Sequence, residues 1–474
     1  MDNKPKVLIL YENKRFQDPI KYTFSLIMSI LGLDYKIIQT DELDTYKTSE
    51  ILLLISYGKE KSELNIGNQI HIYESDFFGE NYLKLESFPK SPLERHNDLP
   101  IIYQGVNKIE KHVKRENDLI ETDIDIIASS LFMVSRYEEV ILKDRDKYGR
   151  FPATASLAYK EKFLDKPIVN EYIELFWSWI DSFDLGLKRK KLWKGKDFVV
   201  CLTHDVDEIK RYRRPPLLSI VRSIKQKDIK KAVTIFFDYL KTKLHLTQDP
   251  YYKTFDYIIN LEKKYGFRSS FYFMTNGKTY SLNDSWLKKL ILKLKKEGFD
   301  VGIHPSFNAY NNADVLKIEK EKLEEVLGRE IIGGRQHYLK WNTPKTWNIW
   351  EKSGLKYDTT LGYADHEGFR CGICSLFRPF DVIRKEIIDI WEVPLIVMDG
   401  MLIGYRKLSP DESLKIMVNL LKTVEKYNGV FVLLWHNLYM TKLFDPEWKK
   451  CFEKSYKIIS QMNCSVLTIR EIIK

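Results

Sequence analysis

The chain has 474 residues, of which 44% are hydrophobic and 30% charged, and its formal net charge is +10 at pH 7. This length exceeds what one hydrophobic core usually holds, so two or three domains are expected, and the balance of apolar and charged residues excludes a largely disordered chain. The sequence has no run of the roughly 18 to 20 apolar residues that a membrane-spanning helix needs.

The N-terminal part, residues 1–186, is predicted to be an α/β domain. Short β-rich runs occur in KVLILYE, ILLLISY and IHIYES, and apolar residues recur at helical spacing in DIDIIASSLFMVSRYEEV and IVNEYIELFWSWIDSF. The first apolar run is short, stops at a charge and lacks a small-residue cleavage site, so it indicates a strand and a cytoplasmic protein. No nucleotide-binding motif assigns a role to this domain. The basic, non-periodic stretch at 187–197 is predicted to be a linker.

The C-terminal part, residues 198–474, repeats one junction five times. Helical runs end near a glycine and are followed at once by a strand in KKYGFRSSFYFM, KKEGFDVGIH, EVLGREIIGGRQHY, EKSGLKYDTTLGY and EKYNGVFVLLWH. Glycine just after a helix adopts the left-handed conformation at low cost. The repetition predicts βα units and a mainly parallel sheet or barrel.

Polar residues follow four of these strands, where active-site residues of βα folds collect. They are Asp205 and Asp207 in CLTHDVD, His304, Arg335 with His337, and His436. Singly, each has an ordinary structural explanation, such as a helix N-cap, a hydrogen-bonded core histidine or a surface ion pair. Together they predict a site in which Asp207, His304 and a third donor bind Zn²⁺ or a similar divalent ion. The second acid then stays free as a base, and a histidine opposite protonates a leaving amine.

These motifs resemble the polysaccharide deacetylases of the NodB-homology type, carbohydrate esterase family 4. THDVD, HPSFN, GGRQHYL, DIWEVPLIVMD and LLWH are similar to the five family motifs in order, over about residues 198–474. The resemblance implies a distorted (β/α) barrel that removes acetyl groups from sugars with a divalent metal. The long stretch from RQHYLKW to LFRPFD also resembles a subgroup of large two-domain members whose N-terminal domain has no assigned role.

The resemblance also implies a role for each matched residue. Asp205 is expected to be the catalytic base, Arg335 to orient it and His436 to be the general acid. Asp207 and His304 are expected metal ligands. Trp391, Asp399 and Tyr338 are expected at the substrate, with Asp399 a partner of the acid histidine.

One position departs from the family pattern. Asn308 stands where the second metal-binding histidine should be, and a neutral amide is a poorer zinc ligand than imidazole. Either Asn308 binds weakly or His337 supplies the missing nitrogen. We favour His337, because it lies two residues after Arg335 and faces the same way on a strand. If neither binds, the site holds no metal.

An insertion at about 209–245 follows the first motif. It carries 11 Lys and Arg against 2 Asp, and its apolar residues recur at helical spacing as one helix or two short ones. One interpretation is a lid packed on the barrel with solvated bases. The other is a helix on an anionic membrane surface. No motif supports nucleic-acid binding.

The sequence therefore predicts a metal-dependent, cytoplasmic carbohydrate deacetylase, membrane-associated if the insertion binds lipid. It acts on an N-acetylated sugar of a polysaccharide or a lipid-linked glycan, with zinc as the expected metal. The alternatives are a catalytically silent carbohydrate-binding or scaffold protein on the same barrel and a C–N hydrolase acting on a non-sugar amide. Cys371 and Cys374 form a single C-x-x-C, expected to be two reduced loop thiols. The sequence carries no signal of oligomeric state.

Overall fold

Two separate sheets, both covered by helices, form the protein. The computed structural model describes residues 6–45, 51–61, 67–276, 279–441 and 444–474. The first sheet is built from residues 7–122 and the second from residues 198–466. Residues 187–197 between them contain no helix or strand. The predicted α/β fold class is confirmed.

The N-terminal sheet is mainly parallel. Its strands are β1 (Val7–Tyr11), β2 (Tyr35–Gln39), β3 (Leu53–Gly58), β4 (Asn68–Tyr73), β7 (Val113–Glu116) and β8 (Leu119–Thr122), while β5 (Arg95–His96) and β6 (Leu99–Pro100) pair separately. The order is β2-β1-β3-β4-β8-β7, and only β7 runs antiparallel to its neighbour. The three β-rich runs of the sequence fall on β1, β3 and β4, as predicted.

The N-terminal helices are α1 (Gln17–Leu31), α2 (Ile126–Val134), α3 (Tyr137–Ile141), α4 (Leu157–Lys160) and α5 (Ile168–Asp181). The run DIDIIASSLFMVSRYEEV, predicted as one helical segment, is divided into α2 and α3. The break lies at Arg136, a buried residue with a left-handed backbone at φ 54°. The helix divides here, against the prediction, because the turn directs the guanidinium of Arg136 into a buried cluster of charged side chains.

The C-terminal sheet is parallel and curled. Its strands are β9 (Phe198–Val206), β10 (Ser270–Phe273), β11 (Asp300–Ile303), β12 (Gly333–Gly334), β13 (Tyr357–Asp358), β16 (Trp391–Glu392), β17 (Val397–Met398), β18 (Val430–Leu434) and β19 (Cys464–Val466); β14 (Phe380–Asp381) and β15 (Glu386–Ile387) pair on their own. The order is β16-β13-β12-β11-β10-β9-β18-β17, with β19 also on β9. Residues 393–396 alone separate the two edge strands and span less than about 18 Å. The edges therefore lie close together, and the predicted distorted (β/α) barrel is confirmed.

Helices alternate with these strands. They are α6 (Leu217–Lys225), α7 (Ile229–Lys243), α8 (Pro250–Tyr265), α9 (Ser285–Lys296), α10 (Ala313–Leu327), α11 (Lys345–Lys352), α12 (Pro410–Lys426), α13 (Pro446–Gln461) and α14 (Ile469–Ile472). Four of the five predicted junctions have a glycine with positive φ, at positions 266, 298, 328 and 354. At the fifth, Asn428 takes the left-handed conformation instead. Gly429 beside it is needed for space, because a Cβ there would meet the carbonyl oxygen and Sγ of Cys374.

The insertion folds as two helices, α6 and α7, which pack on each other. Among the described helices, none combines the length and hydropathy required of a membrane span. Cys371 and Cys374 lie in a loop, both buried and neither in a disulfide.

A buried ion cluster joins the two parts of the chain. Arg370 in the C-terminal part donates from Nε and Nη2 to the two carboxylate oxygens of Glu139, at 2.9 and 2.8 Å. Arg136 donates to Glu139 at 2.8 Å and to Glu138 at 2.6 Å, and its Nη1 donates to the carbonyl oxygen of Arg370. Burial raises the pKa of Glu139, but the two guanidinium groups more than offset it and hold that pKa at about 2. The cluster therefore holds two guanidinium charges and an ionised carboxylate away from water.

Substitution of Arg370 by methionine should lower the free energy of unfolding by about 3–5 kcal/mol, because it leaves the buried carboxylate of Glu139 without its bidentate partner. Urea titration followed by tryptophan fluorescence measures the change. The matched control is Lys293→Met, which breaks an exposed ion pair with Asp256 and should cost less than about 1 kcal/mol. Equal effects of the two substitutions would show that the cluster does not stabilise the fold.

Candidate functional site

Polar side chains from one edge of the curled sheet converge. They follow β9, β11, β12, β17 and β18, whose carboxyl ends face the same rim. Asp205 and Asp207 come from β9, His304 from β11, Arg335 and His337 from β12, Asp399 from β17 and His436 from β18. Parallel strands align their carboxyl ends, which is why Asp207 and His436, which are far apart in the chain, become neighbours here.

Asp207, His304 and His337 form a set of possible metal ligands. One donor atom from each lies within 4.8 Å of the others. Oδ1 of Asp207 is 3.2 Å from Nε2 of His304 and 3.6 Å from Nε2 of His337. The same oxygen is buried and makes no hydrogen bond of acceptable geometry. A buried, unsatisfied carboxylate oxygen beside two imidazole nitrogens fits a divalent cation such as Zn²⁺.

The backbone of Arg335 determines which nitrogen of His304 faces this set. Nδ1 of His304 lies 2.7 Å from the carbonyl oxygen of Arg335. A carbonyl oxygen only accepts, so Nδ1 carries the proton and the lone pair of neutral His304 is on Nε2. Hydrogen bonds of this kind orient metal-binding histidines in proteins. The carbonyl oxygen of Arg335 thus orients His304 with Nε2 toward Asp207.

The surroundings of the three possible ligands shift their pKa values in different directions. Burial and the nearby His304 lower the pKa of His337 to about 4, so this imidazole is neutral at pH 7. Burial alone would raise the pKa of Asp207, but the three surrounding histidines lower it well below the usual range. Burial lowers the pKa of His304, and the carboxylates of Asp205 and Asp207 raise it above the ordinary value. An anionic carboxylate beside a neutral imidazole is a suitable start for cation binding.

Asp205 lies next to the set but is bound by an arginine. Nη1 of Arg335 donates to Oδ1 of Asp205 and to Oγ1 of Thr203, both at 2.9 Å. The other oxygen, Oδ2, is 3.8 Å from Nδ1 of His304. Asp205 and Arg335 are both buried. One carboxylate oxygen is therefore fixed by the guanidinium, while the other is available on the side of His304.

His436 and Asp399 form a second pair across the site. Nδ1 of His436 lies 2.7 Å from Oδ1 of Asp399, and the backbone N–H of His436 donates to Oδ2 of the same carboxylate. Nε2 of His436 is 3.7 Å from Oδ2 of Asp207. Burial lowers the pKa of His436, but Asp399 and the two strand-end carboxylates raise it to about 10. The imidazole is therefore charged at pH 7, with Nε2–H toward the site.

Three predicted residues lie at the margin or elsewhere. Asn308 is exposed and precedes a short 3₁₀ turn. Tyr338 is 48% exposed, and its ring contacts that of His337 at 4.5 Å. Trp391 lies under the guanidinium of Arg378 and lines a cavity of about 780 Å³ beside α1. The contacts of Trp391 thus give no support to its predicted place at the substrate.

His204, between Thr203 and Asp205, points to the opposite face of β9. Its Nδ1 lies 2.6 Å from the carbonyl oxygen of Trp435 and its Nε2 3.0 Å from Oε1 of Glu262. The alternation of side chains along a strand separates this histidine from the two acids. His204 therefore belongs to the core.

Sequence reasoning missed a hydrogen-bonded support under the Arg335 loop. Asp358 accepts from the backbone N–H and the hydroxyl of Thr360, and Oγ1 of Thr360 accepts from the N–H of Gln336 at 2.9 Å. Burial raises the pKa of Glu392 strongly, and the neighbouring Asp358 raises it further. The only sequence signal was the position of Asp358 and Glu392 at strand ends.

The N-terminal part also contributes to the rim, which no local pattern could show. Nη1 of Arg150 donates to the carbonyl oxygen of Tyr338 at 3.0 Å, and Nη2 donates to the hydroxyl of Tyr405 at 2.7 Å. The ring of Tyr148 packs against that of Tyr338 at 5.4 Å, and Lys340 donates to the carbonyl oxygen of Tyr148. Tyr338 has a positive φ of 62°. These contacts hold the loop that follows His337.

A family of unknown function, DUF7033, matches residues 8–184 of the chain. This match includes Tyr148 and Arg150 but none of the ionisable groups that converge on Asp207. No curated protein sequence matches the chain.

Several solved structures are similar at low identity. A protein assigned as a polysaccharide deacetylase from Mycobacterium smegmatis has a TM-score of 0.41 and 16% identity, over 59% of this chain and 91% of its own. PuuE allantoinase has a TM-score of 0.41 and 10% identity, over 61% of this chain and 93% of its own. Agd3, a carbohydrate deacetylase, has a TM-score of 0.37 and 8% identity, over 98% of this chain and 86% of its own. These values are low, so the reaction is inferred from this chain's own residues.

Metal content should depend on His337 and not on Asn308. Protein purified without chelator should contain stoichiometric zinc, which His304→Ala and His337→Ala lower at least about tenfold, because each removes a nitrogen donor. Asn308→Ala is the matched control and should keep its metal. Inductively coupled plasma mass spectrometry gives the ratio of metal to protein. Loss of zinc in Asn308→Ala with retention in His337→Ala would reverse the assignment.

Proposed function

We propose that the protein is a metal-dependent hydrolase that removes acetyl groups from an N-acetylated sugar of a polysaccharide or a lipid-linked glycan. The observation that carries the proposal is the arrangement of three groups at one rim. A possible cation site, an arginine-held carboxylate and a charged histidine surround the same space. Amide hydrolysis needs these three functions together: an activated water, a base and an acid for the leaving amine.

Asp207, His304 and His337 would hold the cation. A divalent ion bound there supplies Lewis acidity, which makes water more acidic and polarises the acetyl carbonyl. The donor set of one carboxylate and two imidazoles leaves room for water or substrate, as in catalytic zinc sites.

Asp205 is the proposed base. It accepts a proton from the water that attacks the acetyl carbon, through the oxygen that Arg335 does not hold. Arg335 is a positioning residue, because its bond to Oδ1 at 2.9 Å fixes the carboxylate without contact to the substrate. Tight positioning of a base is a large part of its effect on the rate.

His436 is the proposed acid. As the C–N bond breaks, the nitrogen of the sugar takes the proton from Nε2 of His436, and acetate and a free amino sugar result. Asp399 keeps the imidazole charged and directs Nε2 inward. The acid and the base thus have opposite charges before the reaction, as the two proton transfers require.

Substitution of Asp205 by asparagine should lower kcat by about 10²–10⁴-fold, because the amide cannot accept the proton. Its carbonyl oxygen still accepts from Arg335, so the zinc content should not change. Acetate release from N-acetylated oligosaccharides, with metal analysis of the same samples, measures both. Wild-type activity in Asp205→Asn would exclude Asp205 as the base.

A zinc-free wild type without acetate release would instead favour the silent carbohydrate-binding protein. Turnover of simple amides but of no N-acetylated sugar would favour the C–N hydrolase on a non-sugar substrate. The first outcome is read from the acetate and metal measurements above, and the second needs simple amides as additional substrates.

Substitution of Asp399 by asparagine should move the basic limb of the kcat/KM profile to lower pH. Asp399 raises the pKa of His436, so removal of its charge lets the imidazolium lose its proton at a lower pH. The acid form then disappears earlier as pH rises. A profile from pH 6 to about 10, fitted for both proteins, checks the shift. An unchanged basic limb would show that His436 is not the acid.

A further inference from the structure

The insertion after β9 forms a helical hairpin, residues 217–243, that exposes most of its surface. Its buried side chains are Ser223, Ala232 and Ile235. Tyr212, at the base of the hairpin, is buried and donates from its hydroxyl to Asp238 at 3.0 Å. The hairpin is thus fixed at one end, and few of its side chains are buried. A lid packed on the barrel would bury one apolar face along each helix, and this is not observed.

Both helices expose large apolar side chains in a regular stripe. In α6 the stripe contains Leu217, Val221 and Ile224, at a spacing of four and three residues; in α7 it contains Ile229, Val233, Phe236 and Phe237. Leu217 and Leu218 are 67% and 87% exposed, and Phe237 is 54% exposed. Half of the large hydrophobic side chains that are exposed in the described residues lie between 217 and 246. Contiguous exposed apolar surface of this kind is typical of a binding face.

Basic residues flank both stripes. The insertion at 209–245 has 11 Lys and Arg against 2 Asp. On the helices these include Arg222, Lys225, Lys230 and Lys231, all exposed. Apolar side chains with lysine and arginine beside them are the composition of helices that lie in the interface of an anionic membrane.

A basic pocket lies at the base of the hairpin. It has a volume of about 590 Å³, and its lining includes Arg211, Arg213 and Arg214 with Leu217 and Leu218. Lys210 and Glu208 also line it, and Lys210 is paired with Asp284 at 2.6 Å. Nε of Arg211 is buried without a hydrogen-bond partner. Guanidinium groups next to exposed leucines match a phosphate headgroup next to acyl chains.

We propose that this hairpin is a docking surface for an anionic lipid bilayer. The exposed leucine, isoleucine and phenylalanine side chains enter the acyl boundary, and the basic residues bind lipid phosphates. A second copy of the chain is a poorer occupant, because two insertions of local charge +9 would repel each other. The bilayer satisfies both the apolar and the cationic components of the surface.

This docking would place the candidate site at the membrane surface. The insertion leaves from the carboxyl end of β9, directly after Asp207, so the hairpin and the ionisable groups share one rim of the sheet. Asn437, next to His436, donates to the carbonyl oxygen of Glu208 at the pocket. A membrane-bound hairpin therefore favours a substrate attached to or close to lipid. Lipid binding by this surface does not depend on the proposed reaction.

Sedimentation with vesicles tests the proposal. The full chain should sediment with vesicles of phosphatidylcholine and phosphatidylglycerol at low salt, and much less at high salt or with phosphatidylcholine alone. Phe236→Ser with Phe237→Ser should weaken binding at least about tenfold. Arg222→Gln with Lys225→Gln should weaken it about fivefold for each residue.

The matched control is Leu292→Ser with Ile318→Ser, which removes apolar side chains that are 49% and 51% exposed on α9 and α10. This variant should bind as the wild type does, and so should Asp205→Asn, which separates lipid binding from the proposed reaction. Thermal melts of each variant exclude unfolding.

Several outcomes would overturn the proposal. One is that the wild type does not sediment with vesicles, or that the hairpin and control variants sediment equally. The others are that the hairpin causes self-association without vesicles, or that the protein binds nucleic acid and not lipid.

Discussion

A fully buried guanidinium at the end of β12 determines the geometry of the whole site. Arg335 is 0% exposed, and burial of its charge is tolerated because Asp205, Thr203 and the carbonyl oxygen of Thr359 accept its hydrogen bonds. The same residue presents its own carbonyl oxygen to His304. The proposed base, Asp205, and one possible metal ligand, His304, are therefore oriented by one residue. Loss of the Arg335 side chain would leave the buried carboxylate of Asp205 unpaired, whereas the backbone carbonyl oxygen at position 335 would still accept from Nδ1 of His304.

Around Asp205 and Arg335, the histidine side chains differ in charge because their surroundings differ. The pKa of His337 is lowered to about 4 by burial and by the nearby His304, so its imidazole is neutral at pH 7, whereas His436 is charged because Asp399 is bonded to it. Two of the imidazoles thus differ in pKa by several units within one small space. Such separation of titratable groups is typical of sites that carry out acid and base chemistry together. It explains how a single rim could bind a cation and donate a proton.

The N-terminal part of the chain belongs to the same structural unit. The bidentate pair of Arg370 and Glu139 fixes it to the barrel, and Arg150 supports the loop that carries Tyr338. A family of unknown function matches this part, so its contribution to the rim gives it a specific structural role. The hairpin of α6 and α7 extends from the same rim and exposes its apolar stripes. The chain thus combines a barrel, a supporting domain and an exposed amphipathic surface around one site.

Much of the fold and of the site could be predicted from the sequence. Strand and helix periodicity, the junctions after helices and the polar residues at strand ends are all local signals. They were sufficient for the α/β class, for a mainly parallel sheet or barrel and for the expectation that Asp205, Asp207, His304 and Arg335 share one rim. Only the tertiary structure divided the helix at Arg136 and brought Arg150 to the rim. Each depends on contacts between residues far apart in the chain, which periodicity does not encode. The sequence therefore determined that the strand-end groups face one rim, and long-range packing decided which of them touch and which distant residues join them.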